Sequence, residues 1–298
     1  MVPAPSSQPD ELVRTLSRDG AVGVRAIVGT ALVREAVRRH RTAPTATAAL
    51  GRTLLAAILL AAEGDDDETV QLQLSGSGPL RSTTAIADAA GRVRGCVGLP
   101  TTHLPPREDG KLDVGGAIGA GILTVVRFHP SWREPYSGIV PLVSGEVAED
   151  VASYLRSSEQ KPCAVALGVH VDDAGTVDAA GGYLVQALPN ASEASLATLE
   201  ANVLALPPPS ELVRSGLSAG AIADRLLAGL GSGEVQRVSP SFHCGCDRER
   251  VLRAVALLGR DEMRDIARKG DEIEVRCAFC AERYAIAADE VGSLALDA

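Results

Sequence analysis

Hydrophobic and polar residues alternate with a period of two in several segments of the first two thirds of the chain. Residues 68–74 read Glu-Thr-Val-Gln-Leu-Gln-Leu, the pattern of a strand with one buried face. Similar runs lie between Gly- and Pro-containing turns and predict further strands at residues 21–28, 80–86, 93–97, 122–128, 139–143, 163–171 and 182–188. We expect these strands to complete one sheet.

Other segments have a helical pattern. Residues 10–18 are mildly helical, and residues 31–40 and 45–62 predict two longer helices. The apolar run at 54–62 is about half the length needed to cross a bilayer and leads into acidic residues, so it predicts a buried helix. Ser144 is predicted to cap a further helix, with Glu149 and Asp150 in its opening turns and Arg156 near its end.

The glycine-rich run at residues 115–121 precedes a strand and lacks the Gly-x-x-x-x-Gly-Lys pattern of a phosphate loop. We interpret it as a turn.

The composition changes after Pro189. Strand patterns stop, and two Ala- and Leu-rich helices are predicted at 192–206 and 218–230, separated by three prolines and closed by a glycine-rich turn. Such short helices are marginal in isolation, so we expect them to pack on another part of the protein. A simple interdomain connector is the equally weighted alternative.

Residues 241–298 predict a small module. Two short helices are expected at 248–258 and 261–269, with Gly270 just beyond the second, followed by paired strands at 272–276 and 283–287. A segment this small buries little apolar surface and should depend on a metal for its stability.

The patterns together predict an α+β protein in three parts. The first is an amino-terminal mixed sheet-and-helix domain at residues 1–188. A helical connector follows at 189–240, and a small carboxy-terminal zinc module with four cysteine ligands at 241–298.

The charge and the amino-terminal residues argue against some classes of function and some locations in the cell. With 29 basic and 38 acidic side chains the net charge is −9, which argues against a nucleic-acid binder because such proteins need a dense cationic face. The first ten residues have neither a basic nor an apolar signal-peptide region. We therefore expect a cytoplasmic protein with no membrane partner, in a compartment that keeps thiols reduced.

Six cysteines divide into two kinds. Cys96 and Cys163 are isolated in strand-like segments and are expected to be small buried hydrophobes. Cys244-Gly245-Cys246 and Cys277-Ala278-Phe279-Cys280 form two close pairs, the pattern of four thiolates around one tetrahedral zinc ion. His243 is an alternative ligand, although four cysteines already fill the positions of the metal.

Zinc-bound thiolates are also nucleophiles that oxidants attack. Cys277 and Cys280 are well spaced for a mutual disulfide. A bridge between Cys244 and Cys246 is feasible but strained, and Gly245 between them would let the backbone bend. Oxidation would remove ligands from zinc, so this chemistry permits a switch between a folded and an unfolded module.

The residues around the four cysteines resemble a known family. Phe-His-Cys-Gly-Cys-Asp-Arg-Glu-Arg at 242–250, followed by residues 270–280, is similar to the redox-switch domain of the 33 kDa chaperonin family of heat-shock chaperones. The similarity extends upstream to residues 69–79, 134–140, 154–160 and 181–186. The connector differs, because it is rich in Ala, Leu and Gly rather than strongly charged.

The resemblance implies an ATP-independent holdase that is not an enzyme and has no catalytic residues. It implies one zinc ion held by Cys244, Cys246, Cys277 and Cys280 in an inactive reduced form. Oxidation would form the Cys244–Cys246 and Cys277–Cys280 disulfides, release zinc and unfold the module and the metastable linker. The exposed apolar surface would then bind unfolded client proteins, and the oxidised form would be a homodimer.

Two alternatives come from other classes. A thiol–disulfide oxidoreductase would use Cys277 and Cys280, but such a pair normally opens a helix in a βαβ unit, whereas here it follows a predicted strand. A purely structural zinc ribbon on a binding protein would keep its zinc in mild oxidant.

Overall fold

The computed structural model describes residues 8–297, which form two compact units that meet in sequence between His243 and Cys244. The first unit contains eleven strands among its described residues: β1 Glu11–Ser17, β2 Val22–Val28, β3 Thr69–Gly76, β4 Ser82–Asp88, β5 Arg92–Val97, β6 Gly121–Phe128, β7 Tyr136–Pro141, β8 Cys163–Val171, β9 Val177–Ala187, β10 Ser232–Val238 and β11 Ser241–Phe242. Its helices are α1 Thr30–His40, α2 Pro44–Ala61, α3 Val114–Ile118, α4 Ala148–Ser157, α5 Glu193–Ala205, α6 Pro209–Arg214 and α7 Ala219–Leu226.

The strands of the first unit form two sheets, so the expectation of a single sheet is wrong. The first sheet has the order β10-β1-β2-β9-β8 and is antiparallel throughout. The second has the order β11-β5-β4-β3-β6-β7 and is antiparallel except where β11 joins β5. Alternation along a strand shows that one face is buried but not which sheet the strand joins, because partner choice depends on contacts distant in sequence.

Helix α2 lies in the core between the two sheets. It packs against β3, β4 and β5 of the second sheet and against β8 and β9 of the first. Every residue of α2 except Pro44 and Arg52 is buried, which explains why the helix is apolar on all sides. Its 18 residues are long and apolar enough for a membrane span, but 89% of that window is buried inside the protein.

The opposite face of the first sheet is covered by the connector helices. Buried side chains of β1, β2 and β9 contact α5, α6 and α7 in a second apolar core, made by Val13, Val22, Val24, Ala26, Val28, Ala179, Tyr183, Val185, Leu199, Leu212, Val213, Ala219, Ile222, Ala223, Leu226 and Leu227. The two helices expected at 192–206 and 218–230 are confirmed as α5 and α7. We call α5–α7 the linker helices.

Helix α6 is not among the predicted elements, because it begins within the three prolines that we interpret from sequence as a break. Pro209 occupies the first helical turn, where proline costs no hydrogen bond. The helix lies close to β8 and β9: a Cβ on Gly168 would be 2.5 Å from the backbone nitrogen of Ser210, and one on Gly181 would be 2.7 Å from Val213. Glycines in the two strands therefore let the helix approach the sheet.

The segment after Pro189, where strand patterns stop, contains β10, which pairs antiparallel with β1 from Leu12↔Val238 to Ser17↔Ser232. Residues 10–18, predicted as mildly helical, form β1 itself. The partner of β10 is distant in the chain, whereas β1 lies between β10 and its sequence neighbour β2, and pairing on both sides overrides its weak helical preference.

Two local predictions are also corrected. The glycine-rich run contains the short helix α3, capped by Asp113, rather than only a turn. Helix α4 begins at Ala148, and Ser144 does not cap it. Instead the buried carboxylate of Asp150 accepts hydrogen bonds from the backbone nitrogens of Val143, Ser144, Gly145 and Val147, because it points back toward the loop before the helix.

The first unit ends on a short anchored segment. Strand β11 pairs with β5, and the backbone nitrogen of His243 donates to the carbonyl oxygen of Val93 over 2.7 Å. The ring of Phe242 lies 5.4 Å from the guanidinium carbon of Arg39, a cation–π contact.

The second unit is a small α/β module, with helices α8 Arg248–Val255, α9 Arg260–Lys269 and α10 Ala288–Asp297 and strands β12 Ile273–Arg276 and β13 Arg283–Ile286. The two expected helices and the hairpin are confirmed, and Gly270 ends α9 with a left-handed φ of 74°. Helix α10 is not among the predicted elements. Among the described side chains of the module, the buried hydrophobic cluster consists of Val251, Val255, Met263, Ile286 and Val291.

Candidate metal centre

The β12–β13 hairpin positions Cys277 and Cys280. Cys277 follows β12 directly, its backbone nitrogen donates to the Glu282 carbonyl over 2.9 Å, and the nitrogen of Ala281 donates to the Cys277 carbonyl over 2.9 Å. Ala281 completes this turn with a left-handed φ of 59°. The backbone thus doubles back within four residues and points both sulfurs to one side of the hairpin end.

Cys244 and Cys246 lie in the extended segment before α8. Asp247 caps that helix, and its side chain accepts a hydrogen bond of 2.7 Å from the backbone nitrogen of Arg250. Gly245 has no left-handed φ, and a Cβ there would meet no atom within 4 Å. The reduced site therefore does not require glycine at this position.

The four sulfurs converge. Their Sγ atoms all lie within 4.8 Å of one another. Cys244 Sγ is 3.9 Å from Cys277 Sγ, and Cys246 Sγ is 3.2 Å from Cys280 Sγ. Zinc–sulfur bonds of about 2.3 Å in a tetrahedron place the sulfurs about 3.8 Å apart, so the donor set and its spacing fit zinc.

The structure assigns each expected ligand a place. It brings together the four cysteines, and His243 is not part of the cluster. Within residues 8–297, this is the one group of three or more His, Cys, Asp or Glu side chains with donor atoms close enough to share an ion. Cys280 is buried, and the other three cysteines are half-buried, which leaves the site within reach of small molecules.

The environments of the sulfurs differ. Burial raises the pKa of the Cys277 thiol, but backbone N–H groups of Cys280 and Phe279 and the neighbouring thiols outweigh burial, so its pKa lies below the usual value. Burial raises the pKa of Cys244 and, more strongly, that of Cys280. A bound divalent cation would reverse these last two shifts by stabilising every thiolate.

One further side chain reaches the cluster. The hydroxyl of Tyr284 donates a hydrogen bond of 3.2 Å to Cys246 Sγ, and this bond is the main reason that the pKa of Tyr284 is raised. Sequence reasoning missed Tyr284. The available signal was its place in β13, where the period-two pattern puts it on the same face as the buried Ile286.

The remaining two cysteines lie in the first unit and outside the cluster. Both are half-buried, and Cys163 Sγ contacts the carbonyl oxygen of Ala152 at 3.8 Å. Burial raises the pKa of Cys163, which disfavours its reactive thiolate form. Cys163 packs against the main apolar core, but both cysteines are half-buried and not buried as expected.

The setting of the Cys277–Cys280 pair differs from that of a thioredoxin-like dithiol. Both cysteines lie in the turn between antiparallel strands rather than at the start of a helix. A helix N-terminus is what stabilises the attacking thiolate in such oxidoreductases. The geometry disfavours the oxidoreductase alternative.

The fold and the site define a class of protein with two parts: an α+β core with helices on one sheet face, and a small module in which four cysteines converge and could hold one metal ion. Comparison with known proteins identifies it. The model of the family described as "Hsp33 protein" matches residues 10–287. The chain therefore belongs to the Hsp33 family.

Individual relatives support the same family assignment. The 33 kDa chaperonin of Symbiobacterium thermophilum is 44% identical over 283 residues, covering 95% of this chain and 96% of the relative. That of Syntrophotalea carbinolica is 43% identical over 286 residues, covering 96% and 99%. The crystal structure of the 33 kDa chaperonin of Thermotoga maritima superposes with a TM-score of 0.91 at 34% identity, covering 97% and 99%.

The resemblance stated from the sequence is confirmed, and so is the α+β fold class. The chain is a chaperone of this family and not an enzyme.

Proposed function

We propose that this protein is a redox-regulated, ATP-independent holdase that binds unfolding or oxidatively damaged proteins and prevents their aggregation. The reduced form, with one Zn²⁺ held by Cys244, Cys246, Cys277 and Cys280, is inactive. Oxidation activates it through loss of zinc and formation of two disulfides. The observation that carries this proposal is the convergence of four sulfurs in a module whose described residues form only a small buried hydrophobic cluster.

The linker helices support the second half of the proposal. They cover an apolar sheet face that would otherwise be open to solvent, including Val24, Tyr183 and Val185. Two of the three helices have fewer than nine residues, too few for stability without the sheet beneath them. Release of these helices would expose a contiguous apolar surface of the kind that binds unfolded chains.

The activating chemistry balances with a peroxide as oxidant. A cysteine thiolate attacks one oxygen of hydrogen peroxide, the sulfur–oxygen bond forms as the O–O bond breaks, and hydroxide leaves, which gives a sulfenic acid directly. A second thiolate attacks that sulfur, the S–S bond forms and hydroxide leaves. Each disulfide thus takes two electrons from sulfur and removes two ligands from zinc.

We assign the disulfides as Cys244–Cys246 and Cys277–Cys280, following the pairing that the family resemblance implies. With the cysteines reduced, two short sulfur–sulfur contacts join one motif to the other. They run from Cys244 to Cys277 and from Cys246 to Cys280. Mass mapping of peptides from the oxidised chain would identify the pairs, and cross-motif bridges would contradict this assignment.

The proposed function divides the chain into three parts with the boundaries expected from the sequence. Residues 1–188 are the chaperone core, residues 189–240 the metastable linker and residues 241–298 the redox switch. The partners are unfolded client proteins in the cytoplasm, and the oxidised form is a homodimer. No nucleic acid or membrane takes part.

The decisive experiment measures aggregation of a thermally unfolding client, by light scattering, with the reduced chain and with the chain treated with peroxide under mild heat. We expect suppression only after oxidation. Equal activity in both forms would reject redox control, and activity in neither form would reject the holdase function.

Zinc release, followed in parallel with a colorimetric chelator, separates the switch from a structural zinc ribbon, which would retain its metal. Cys277→Ser should abolish zinc binding in stoichiometric metal analysis. Cys96→Ser is the matched control, since that thiol lies outside the cluster.

A further inference from the structure

A cavity of about 330 Å³ lies within the first unit, between the first sheet and the residues that follow α2. Three donor side chains form a row along its wall, one from each of three neighbouring strands. In the sheet register Gln236 of β10 lies opposite Arg14 of β1, and Arg14 lies opposite Arg25 of β2. Opposite residues have Cβ atoms about 4.5–5.5 Å apart on one face of a sheet, so the three head groups can reach one small ligand.

The two arginines of this row have buried N–H groups that no acceptor satisfies. Arg14 Nε and Arg25 Nη1 are buried and have no hydrogen-bond partner. Arg14 donates through Nη1 to the carbonyl oxygen of Ala62 over 2.7 Å, and its Nε has no acceptor. Because a buried donor without an acceptor is costly, a ligand that supplies acceptor atoms would be stabilised in this cavity.

The ion pairs around the cavity leave positive charge uncompensated. Arg14 forms no ion pair with the described residues of the chain. Arg25 has one such partner, Glu63, whose Oε2 lies 3.8 Å from Arg25 Nη2, beyond hydrogen-bond distance. Glu63 also pairs with Arg127 and Lys161, so one carboxylate is shared among three cations.

The electrostatics of Arg25 agree with a shortage of negative charge. Burial is the main influence on this guanidinium and lowers its pKa. The Glu63 carboxylate opposes the shift, whereas the charges of Arg127 and Arg14 add to it. Glu234 also lines the cavity, but it is exposed on β10 and forms no ion pair within residues 8–297. An anion in the cavity would offset the repulsion among the guanidinium groups.

We propose that this cavity binds a phosphate-type oxyanion, with Arg14 and Arg25 as its main donors and Gln236 as a third. Guanidinium groups bind phosphate oxygens through charge-assisted hydrogen bonds. A fully ionised oxyanion offers only acceptors, which matches a wall of donors. Free inorganic phosphate and the phosphoryl group of a larger metabolite share this chemistry. The site uses none of the four cysteines and does not depend on the holdase function.

The row of donors crosses a boundary between two of the proposed parts of the chain. Arg14 and Arg25 lie in the core, whereas Gln236 lies in β10, within the linker at 189–240. A bound oxyanion would hold β10 against β1, because a ligand stabilises the form that binds it. Phosphate should therefore slow hydrogen exchange of the β10 amides, and exchange that is unchanged at saturating phosphate would overturn the site.

The test is a titration of the full reduced chain with inorganic phosphate at constant ionic strength, followed by calorimetry and phosphorus NMR. We expect saturable binding of one ion per chain. Arg14→Met should weaken binding about ten- to a hundredfold, the usual loss for a charge-assisted hydrogen bond. Gln236→Val changes an exposed residue and keeps a good strand former, so it should fold and should weaken binding about three- to tenfold.

Arg92→Met is the matched control, since it makes the same change at an exposed arginine on β5 of the second sheet. It should leave the affinity for phosphate unchanged. Equal weakening by Arg92→Met and Arg14→Met would show diffuse attraction to surface charge and would overturn the site. So would the absence of saturable binding at millimolar phosphate. If Arg14→Met does not fold, Gln236→Val decides, and wild-type affinity in that variant would contradict the proposed row of donors.

A second titration with phenyl phosphate separates the two sources of the oxyanion. Binding as tight as that of inorganic phosphate, and lost in Arg14→Met, supports a site for the phosphoryl group of a larger molecule. Binding of inorganic phosphate alone supports a site for the free ion. None of these readouts includes a client protein, so failure to suppress aggregation would reject the holdase function and leave the oxyanion site in place.

Discussion

Single carboxylates carry structural roles that the sequence pattern does not reveal. Asp150 is fully buried and accepts four backbone hydrogen bonds from the loop before α4. Its removal leaves those backbone nitrogens without their acceptor, a cost far larger than that of an exposed cap.

We expect Asp150→Ala to lower the free energy of unfolding of the first unit by about 2–4 kcal/mol, combining a lost cap with unsatisfied donors. Urea denaturation followed by circular dichroism measures this change. Asp173→Ala, at an exposed turn, is the control and should change stability by less than about 0.5 kcal/mol. Equal effects of the two variants would show that the Asp150 bonds contribute little.

A buried ion cluster gives the first unit a pH dependence. Burial raises the pKa of Glu159, but hydrogen bonds from Lys161 and Tyr154 and the charges of Arg127 and Lys161 more than offset it, so the pKa lies below the usual value. Its side chain is only 9% exposed. A carboxyl with a lowered folded pKa stabilises the protein above its unfolded pKa, about 4.3. That stabilisation is lost as pH falls through the folded value.

Glu159→Gln should therefore destabilise the protein at pH 7, by about 1–3 kcal/mol, because it removes one of the carboxylates that neutralise the buried Arg127, which keeps Glu63 and Glu68. The difference from the wild type should shrink as pH falls from about 5 to about 3. Urea titrations at several pH values measure the difference in the free energy of unfolding between the wild type and the variant. Glu108→Gln, at an exposed turn, is the control. Wild-type and Glu159→Gln curves that stay parallel down to about pH 3 would contradict the assignment.

At the scale of elements, the docking of the linker helices on the first sheet decides whether the apolar face is covered. Leu226 of α7 is fully buried in this contact, whereas Leu204 of α5 is 79% exposed. The two leucines allow the same truncation to be made inside and outside the contact.

Leu226→Ala should weaken docking by about 2–5 kcal/mol, the usual cost of this truncation in a packed core. Hydrogen exchange of the α7 amides should accelerate accordingly, while zinc content stays at the wild-type level because the four cysteines are untouched. If the holdase proposal is correct, the reduced variant should also suppress some aggregation. Leu204→Ala should leave exchange unchanged, and faster exchange in both variants would mean that the leucine contact is not what holds the helix.

Elements with strong local signals could be predicted from the sequence, and elements defined by distant partners could not. Helix α2 and the β12–β13 hairpin follow from an apolar run and from alternation beside a turn. Strand β10 pairs with β1, which lies more than 200 residues earlier in the chain, and α6 approaches glycines in β8 and β9 closely. The division into two sheets is a choice of partners that no local period encodes.

The candidate metal site was predictable for a related reason. Two close pairs of cysteines are a pattern typical of metal ligands, and the structure brings all four sulfurs together. The contact of Tyr284 with Cys246 was not predictable. A tyrosine in a strand pattern indicates only a packed side chain, and the folded hairpin is needed to show that its hydroxyl reaches Cys246.

At the scale of the whole molecule, the two units differ in what stabilises them. The first has two extensive apolar cores, and the second has one small core beside the cysteine cluster. Structural zinc contributes about 10–16 kcal/mol in comparable small domains, which exceeds the stability that so few buried side chains supply.

If the cluster binds zinc as proposed, chelation under reducing conditions should unfold the second unit alone. Amides of α8 and α9 should lose protection in hydrogen-exchange mass spectrometry, while those of α2 and β3 stay protected. Restoring Zn²⁺ should restore protection, and Mg²⁺, which prefers oxygen ligands, is the control ion that should not. A second unit that stays protected without metal would contradict metal-dependent folding.

Strand β10 has a consequence for how reversible the uncovering of the sheet is. The chain between β9 and β10 is a loop whose two ends are both hydrogen-bonded into the sheet that the loop covers. If only α5–α7 detach, the loop remains tethered on both sides, gains less entropy than a free tail and stays at high local concentration above its binding face. Recovery after stress would then be an intramolecular event, with a rate independent of protein concentration.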